Sequence, residues 1–174
     1  MKYLLVITIM VLGISSLSAQ EKGKVRVGLD LGYVFAKDGG GILFNLEPKY
    51  NLTDNSNIGL RLGTAASASS SAVDANLSVL GTYDHYFNEG TSSVAPFIGG
   101  GLGVHIFGEL EGKSGSIDAQ FGGMIRGGAE FGKFRLALEY NIIPKSDIGM
   151  GQSIDNSYFG ASIGFYVGGG KWKK

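Results

Sequence analysis

The sequence predicts an all-β fold, eight amphipathic strands joined by hairpin-sized connections into an antiparallel up-and-down barrel. Three observations predict it. Apolar residues recur at every second position in eight separate stretches, the oily faces so defined contain no Asp, Glu, Lys or Arg, and glycine gathers on the opposite, charged faces. Successive side chains of a strand point to opposite sides, so a period of two makes one oily and one polar face, whereas a helix would spread the same charges around its circumference. Short connections imply antiparallel neighbours, because parallel pairing needs long crossovers.

The first stretch, Lys24 to Ala36, sets Val25, Val27, Leu29, Leu31, Tyr33 and Phe35 against Arg26, Gly28, Asp30 and Gly32, and Lys37 to Gly41 (KDGGG) is turn chemistry. Gly41 to Leu52 places Ile42, Phe44, Leu46, Pro48, Tyr50 and Leu52 opposite Asn45, Glu47 and Lys49. Pro48 cannot donate a ladder hydrogen bond and predicts a bulge or local irregularity. After the turn Thr53 to Asn57, the run Asn57 to Ala66 turns Ile58, Leu60 and Leu62 away from Arg61. Val73 to Phe87 alternates Val73, Leu77, Val79, Tyr83 and Phe87 with Asp74, Asn76, Ser78, Thr82 and Asp84. Val94 to Phe107 carries Ile98, Leu102, Val104 and Ile106. Ile117 to Phe131 sets Phe121, Ile125 and Phe131 against Asp118, Gln120, Arg126 and Glu130. Gly132-Lys133 then leads into the cleanest alternation, Phe134 to Ile142, in which Phe134, Leu136, Leu138 and Tyr140 alternate with Arg135, Ala137, Glu139 and Asn141. Pro144 to Asn156 is the longest loop, and Ser157 to Gly168 closes the set with Phe159, Ala161, Ile163, Phe165 and Val167.

The N-terminus has the layout of a secretory signal peptide over residues 1–19. Lys2 supplies the positive charge, Tyr3 to Ile14 the apolar run, and Ser15 to Ala19 the short polar end, with cleavage expected between Ala19 and Gln20. The apolar run is shorter than the roughly 20 residues of a membrane-spanning helix. Residues 20–23 are a polar lead-in, 24–168 the barrel domain, and 169–174 a basic tail with Trp172 among three lysines. The 15 basic and 15 acidic residues balance, so no nucleic-acid footprint shows. Cysteine is absent, which removes disulfides, thiolate metal sites and cysteine nucleophiles together.

The decisive question is which face looks inward. The charged faces hold Arg26, Asp30, Glu47, Lys49, Arg61, Asp74, Asp84, Asp118, Arg126, Glu130, Arg135 and Glu139. They also hold most strand glycines, among them Gly28, Gly32, Gly59, Gly63, Gly99 and Gly164, against only Gly81, Gly100, Gly123 and Gly127 on the oily faces. A water-exposed sheet gains nothing from such glycines, whereas the narrow interior of an eight-stranded barrel needs small residues between large ones. The oily faces therefore point outward, to lipid, and the charges into the lumen. Strand direction sorts the aromatics into two girdles. Tyr50, Tyr83, Phe87, Phe131, Phe134 and Phe165 fall at the rim bearing the N-terminus, and Tyr33, Phe35, Phe44, Tyr140 and Phe159 at the other, as at two bilayer interfaces.

With its signal peptide, eight alternating strands and final GASIGFYVGG stretch, the chain resembles the small OmpA/OmpX-like eight-stranded outer-membrane barrels of Gram-negative bacteria, over Lys24 to Gly168. The resemblance implies an integral outer-membrane protein and assembly by the barrel assembly machinery through the last strand. In that family the last strand usually ends the chain on an aromatic; here Phe165 and Tyr166 are followed by the Gly- and Lys-rich tail. Some such barrels are lipid A deacylases with a His-x-Ser-Asn arrangement. Neither Tyr83-Asp84-His85-Tyr86-Phe87 nor Val104-His105-Ile106-Phe107 provides one, and no enzyme is expected.

The glycine triplets beginning at Gly39, Gly99 and Gly168 match no phosphate-loop pattern and precede no helix, so turn and lumen packing is expected of them. Asp147 and Asp155 lie in the longest loop without the spacing of a calcium loop, and no metal or cofactor is expected. Unpaired charge is expensive in a narrow, low-dielectric tube. Arg26, Asp30, Glu47, Lys49, Arg61, Asp84, Arg126, Glu130, Arg135 and Glu139 are therefore expected to form paired networks that plug the lumen, with Arg135 and either Glu130 or Glu139 as one candidate set. The expected function is structural, surface-interacting or narrowly porin-like, in contact with outer-membrane lipid. The alternatives are an adhesin or ligand binder acting through its outer loops, and a soluble secreted lipocalin-like barrel with the oily faces inward.

Overall fold

Eight long strands close on one another in the computed structural model, which describes residues 21–36, 39–68, 73–87, 94–109, 118–149 and 152–169. They are β1 (Val25–Ala36), β2 (Gly39–Asn51), β3 (Ser56–Ala68), β4 (Val73–Tyr86), β5 (Val94–Glu109), β6 (Asp118–Phe131), β7 (Phe134–Ile142) and, after two short strands β8 (Ser146–Gly149) and β9 (Gln152–Ile154), β10 (Tyr158–Gly168). The order around the barrel is β1-β10-β7-β6-β5-β4-β3-β2, with every neighbouring pair antiparallel. First and last strands seal the sheet from Arg26 opposite Gly168 to Phe35 opposite Phe159. Closure leaves no strand edge, the condition a sheet must meet in an apolar medium. The expected signal peptide, the leading Gln20 and tail residues 170–174 lie outside the described residues.

The alternation read from the sequence is the alternation of burial. In β7, Phe134, Leu136, Leu138, Tyr140 and Ile142 are exposed while Arg135, Ala137, Glu139 and Asn141 are buried. The same inversion holds around the barrel, with Leu31, Leu60, Leu102, Phe121 and Ile163 outward and Arg26, Asn45, Arg61, Asp84 and Arg126 inward. The lipocalin-like alternative, with the oily faces inward, is thereby overturned.

Two local expectations meet the structure differently. Pro48 marks a local irregularity and no bulge: the β2–β3 pairing is interrupted at Glu47 and Pro48, where the ring removes a donor, while Leu46 with Leu62 and Lys49 with Gly59 keep one frame. Pro144 to Asn156, expected to be a plain loop, contains the β8–β9 hairpin, irregular between Asp147 and Gly149.

The two-residue link between β6 and β7 turns on Gly132 at φ 65°, a left-handed conformation that side chains resist. Close approach explains the lumen glycines better than backbone freedom does. A Cβ on Gly164 would run into the Asp30 carboxylate, and one on Gly99 into that of Asp84, so each glycine leaves room for the charged side chain beside it. Gly164→Ala is therefore expected to cost about 1–3 kcal/mol in a urea unfolding titration. Gly127→Ala, whose Cβ would meet only the Phe97 carbonyl at 3.6 Å, should be close to neutral.

Candidate functional site

Among the described residues, charged and polar side chains concentrate in the lumen. All ten charged residues named from the sequence as a network point into it, and none is more than 3% exposed. Five are basic and five acidic, so the described interior is formally neutral. The side chains of Asp74 and Asp118, the other two charges of the polar faces, lie outside the described residues.

The central group joins six charges. Arg126 on β6 places Nε and Nη2 on the Asp84 carboxylate at 2.8 and 2.9 Å, and Nη1 and Nη2 on Glu47 at 3.0 and 2.6 Å. β6 and β2 are four strands apart in the closed order of eight, so the Arg126–Glu47 pair spans the barrel from wall to wall. Lys49 donates to Asp84 and lies 3.4 Å from Glu47, and Thr82 Oγ1 donates to Glu47 at 2.6 Å. Arg135 donates to Asp30 and reaches Glu47 at 3.5 Å. Multiply hydrogen-bonded ion pairs of this kind combine charge attraction with fixed geometry.

Two further groups flank the centre. Toward the rim that bears the termini, Arg26 donates to Glu130 at 2.9 Å and to the Tyr86 hydroxyl at 2.6 Å, and that hydroxyl donates to Glu130 at 2.6 Å. Toward the opposite mouth, Arg61 on β3 donates to both Glu139 oxygens at 2.7 Å, with Asn141 adding a bond at 3.0 Å. β3 and β7 are again four strands apart, which makes this a second tie across the full lumen.

Arg135 pairs with neither expected partner. Glu130 is its register neighbour but bonds Arg26, and Glu139 bonds Arg61. Neighbours in register project side by side, whereas the long Arg135 side chain reaches past β10 to Asp30 on β1.

Sequence reasoning missed the aromatic and apolar lining. Tyr166 is buried with its ring among three cations, Arg26 at 4.1 Å, Arg135 at 5.3 Å and Lys49 at 5.4 Å from the centroid. Above the charges, Val34, Leu43, Ala65, Ile143 and Tyr158 cluster beneath the mouth opposite the termini, with Phe107 against them. The signal was present: Val34 and Leu43 break the polar parity of adjacent strands at the same end. His105 is buried 3.5 Å from Asn76 Oδ1, whereas His85 is outward, edge-on to Phe87 at 5.1 Å.

The outer surface carries the aromatics expected as girdles. Tyr33, Phe35, Phe44, Tyr50, Tyr83, Phe87, Phe131, Phe134, Tyr140 and Phe159 all face out and are at least 40% exposed; Phe165 is partly covered by Phe134, ring centroids 5.3 Å apart. Tyr33, Phe35 and Phe159 meet at one rim, and Phe134 and Phe165 at the other. At the rim turn, Lys133 Nζ donates to the Gly168 carbonyl at 2.7 Å, and desolvation together with the nearby Arg26 charge lowers its pKa below the ordinary lysine value.

No family model matches the sequence, and no curated protein matches it either. Solved structures do match it. Neisserial surface protein A superposes with a TM-score of 0.64 at 16% identity, over 83% of this chain and 95% of that one. The N-terminal β-barrel domain of Pseudomonas aeruginosa OprF gives 0.58 at 16% identity, over 85% and 100%. This is the fold of the eight-stranded outer-membrane barrels. The outer-membrane enzyme PagL shares that barrel at a TM-score of 0.50 and 16% identity, over 82% of this chain and 98% of its own. The outer-membrane-barrel fold thus accommodates catalysis in at least one case, and activity has to be argued from side chains.

Proposed function

We propose that the chain is an integral outer-membrane barrel whose interior is closed, so that it serves as a structural and surface-presenting element and not as an aqueous channel. The observation that carries this is the pair of ion-pair ties across the full lumen, Arg126–Glu47 and Arg61–Glu139. The apolar cluster of Val34, Leu43, Ala65, Ile143 and Tyr158 supports it by covering the charges at one mouth. The outward belt of leucine, isoleucine, valine and aromatic side chains supports the membrane setting, since water does not tolerate so continuous an apolar surface on a monomer. The match to PagL, an outer-membrane protein by its description, supports the outer membrane in particular. Insertion through the last strand by the barrel assembly machinery belongs to the same reading, with outward Phe165 the residue presented to it and Tyr166 turned inside.

A non-catalytic role is part of the proposal. Outward His85 is packed edge-on to Phe87, and His105 is buried inside the barrel, so neither presents a nucleophile–base pair to the lipid surface. The test is planar-bilayer recording of the purified protein. No resolved conductance steps are expected from the wild type, and stable steps at neutral pH would refute the closed lumen. Heat-modifiable, detergent-dependent gel migration is expected alongside, and a protein that stayed soluble and monomeric without detergent would refute the membrane reading.

A further inference from the structure

The outward surface is not uniform. Where β1, β10, β7 and β6 lie side by side, the outward residues Gly127, Ala129 and Ala161 are small, and taller Leu136, Leu138 and Ile163 stand around them. Together with the neighbouring residues they form an open, almost wholly apolar groove of about 900 Å³. It falls in the size range of about 300–1,000 Å³ typical of small-molecule sites. Register carries it toward the rim that bears the termini: Leu136 and Ile163 form one cross-strand pair, and Phe134 and Phe165 form the pair one outward position below. That step is about 7 Å.

The same strands end in positive charge. Lys24 immediately precedes β1, Lys133 precedes β7, and β10 runs between those two strands. Lys133 is held at the end of β10 by the Nζ bond to Gly168 and by a 2.8 Å bond from the Tyr166 amide to its carbonyl. Lys24 is exposed one residue before Val25, whose neighbour Arg26 pairs with Gly168 from the other side. The carboxylate of Asp54 nearby already accepts the Lys22 amide at 2.9 Å. In the sequence, the segments joining β1 to β2, β3 to β4, β5 to β6 and β7 to β10, with the strand ends beside them, carry Asp38, Asp74, Glu109, Glu111, Asp118, Asp147 and Asp155 against Lys37, Lys113 and Lys145, whereas the segments joining β2 to β3, β4 to β5 and β6 to β7, with the two terminal stretches, carry Glu21, Asp54 and Glu89 against Lys22, Lys24, Lys133, Lys171, Lys173 and Lys174, so positive charge prevails only in the second set. A negative head and an apolar tail are both called for, in line, on one set of strands.

We propose that this face binds one anionic glycerophospholipid, its phosphate between Lys24 and Lys133 and one acyl chain past the Phe134–Phe165 pair into the groove over Gly127 and Ala161. The inference rests on the barrel being membrane-embedded. Cations near a lipid surface attract anionic headgroups, and an interfacial aromatic pair beside them brackets the glycerol level of the lipid.

The test is native mass spectrometry of the protein released from detergent micelles, titrated with dioleoyl phosphatidylglycerol or dioleoyl phosphatidylcholine. A single phosphatidylglycerol adduct is expected in clear preference to phosphatidylcholine. Lys24→Gln and Lys133→Gln should each weaken it about fivefold, the effect of one basic residue near the headgroup. Gly127→Leu with Ala161→Leu fills the groove and should lower retention with both lysines intact; the Cβ direction at Gly127 is free of close contacts. Equal retention of the two lipids, or adducts indifferent to both the lysine and the groove variants, would overturn the site. Displacement of the adduct by inorganic phosphate would mean a phosphate-ion site and overturn it too. A heat-modifiable, detergent-dependent barrel without lipid preference refutes this site alone, whereas solubility without detergent refutes the membrane reading beneath it.

Discussion

Arg126→Met is expected to destabilise the barrel by about 3–5 kcal/mol, the cost of leaving buried charge without its partner. Arg126 alone makes four hydrogen bonds to Glu47 and Asp84. Once it is removed, two buried carboxylates face each other with Lys49 as their main remaining cation, helped only by the 3.5 Å reach of Arg135 to Glu47. Urea unfolding of the protein reconstituted in lipid vesicles measures the loss as a lowered midpoint at unchanged slope. The control is removal of the whole local set, Arg126→Met with Lys49→Met, Glu47→Gln and Asp84→Asn. Replacing a complete buried ion group by apolar or neutral residues is often nearly neutral, so most of the stability should return. A single variant losing less than about 1 kcal/mol would mean that the pairs contribute no more than exposed ones do.

Leu138→Arg is expected to cost about 2–4 kcal/mol in a bilayer, because position 138 faces out midway between the two aromatic rims. Phe134→Arg, at the rim, should suffer only about 0–1 kcal/mol from its charge, to which the lost contact with Phe165 adds. The sign of the contrast is informative. Exposed substitutions on a soluble protein usually change stability by within about 0.5 kcal/mol, so a barrel surrounded by water would accept Arg at both positions. Depth-dependent loss in vesicle unfolding is therefore a readout of the surrounding medium.

The direction of every long strand's faces was legible in alternation alone. Phe134 to Ile142 announces which residues share a side, and the glycines beside the charges say that the charged side is the crowded one. Partner choice was not legible. It depends on which strands stand opposite each other once the sheet has closed, and no spacing along the chain shows that Arg126 will meet Glu47 or that Arg61 will meet Glu139. The sequence puts Glu130 or Glu139 forward for Arg135, whereas the carboxylate it bonds is Asp30, two strands away on β1. The apolar cluster under one mouth was in view, because Val34, Leu43, Ile143 and Tyr158 occupy or extend the polar parity of their strands, but a lumen conceived as polar hides its own apolar members. The β8–β9 hairpin escaped because strands of four and three residues carry too little alternation to register.

The ties across the lumen also bear on the order of events during folding. Arg126 and Glu47 are 79 residues apart in sequence, Arg26 and Glu130 are 104, and Arg135 and Asp30 are 105. Neighbouring strands can pair as local hairpins, but these charges meet only when distant hairpins have curled around to face each other. On the membrane reading, the strands entering the bilayer carry bare charge on one side until then, relieved early only where partners lie two strands apart, as in Lys49–Asp84 and Arg126–Asp84. Completion of the cylinder adds the pairs made from β1, Arg26 with Glu130 and Asp30 with Arg135. The finished barrel resists opening for the same reason: to part β1 from β10 is to pull those buried charges from their partners.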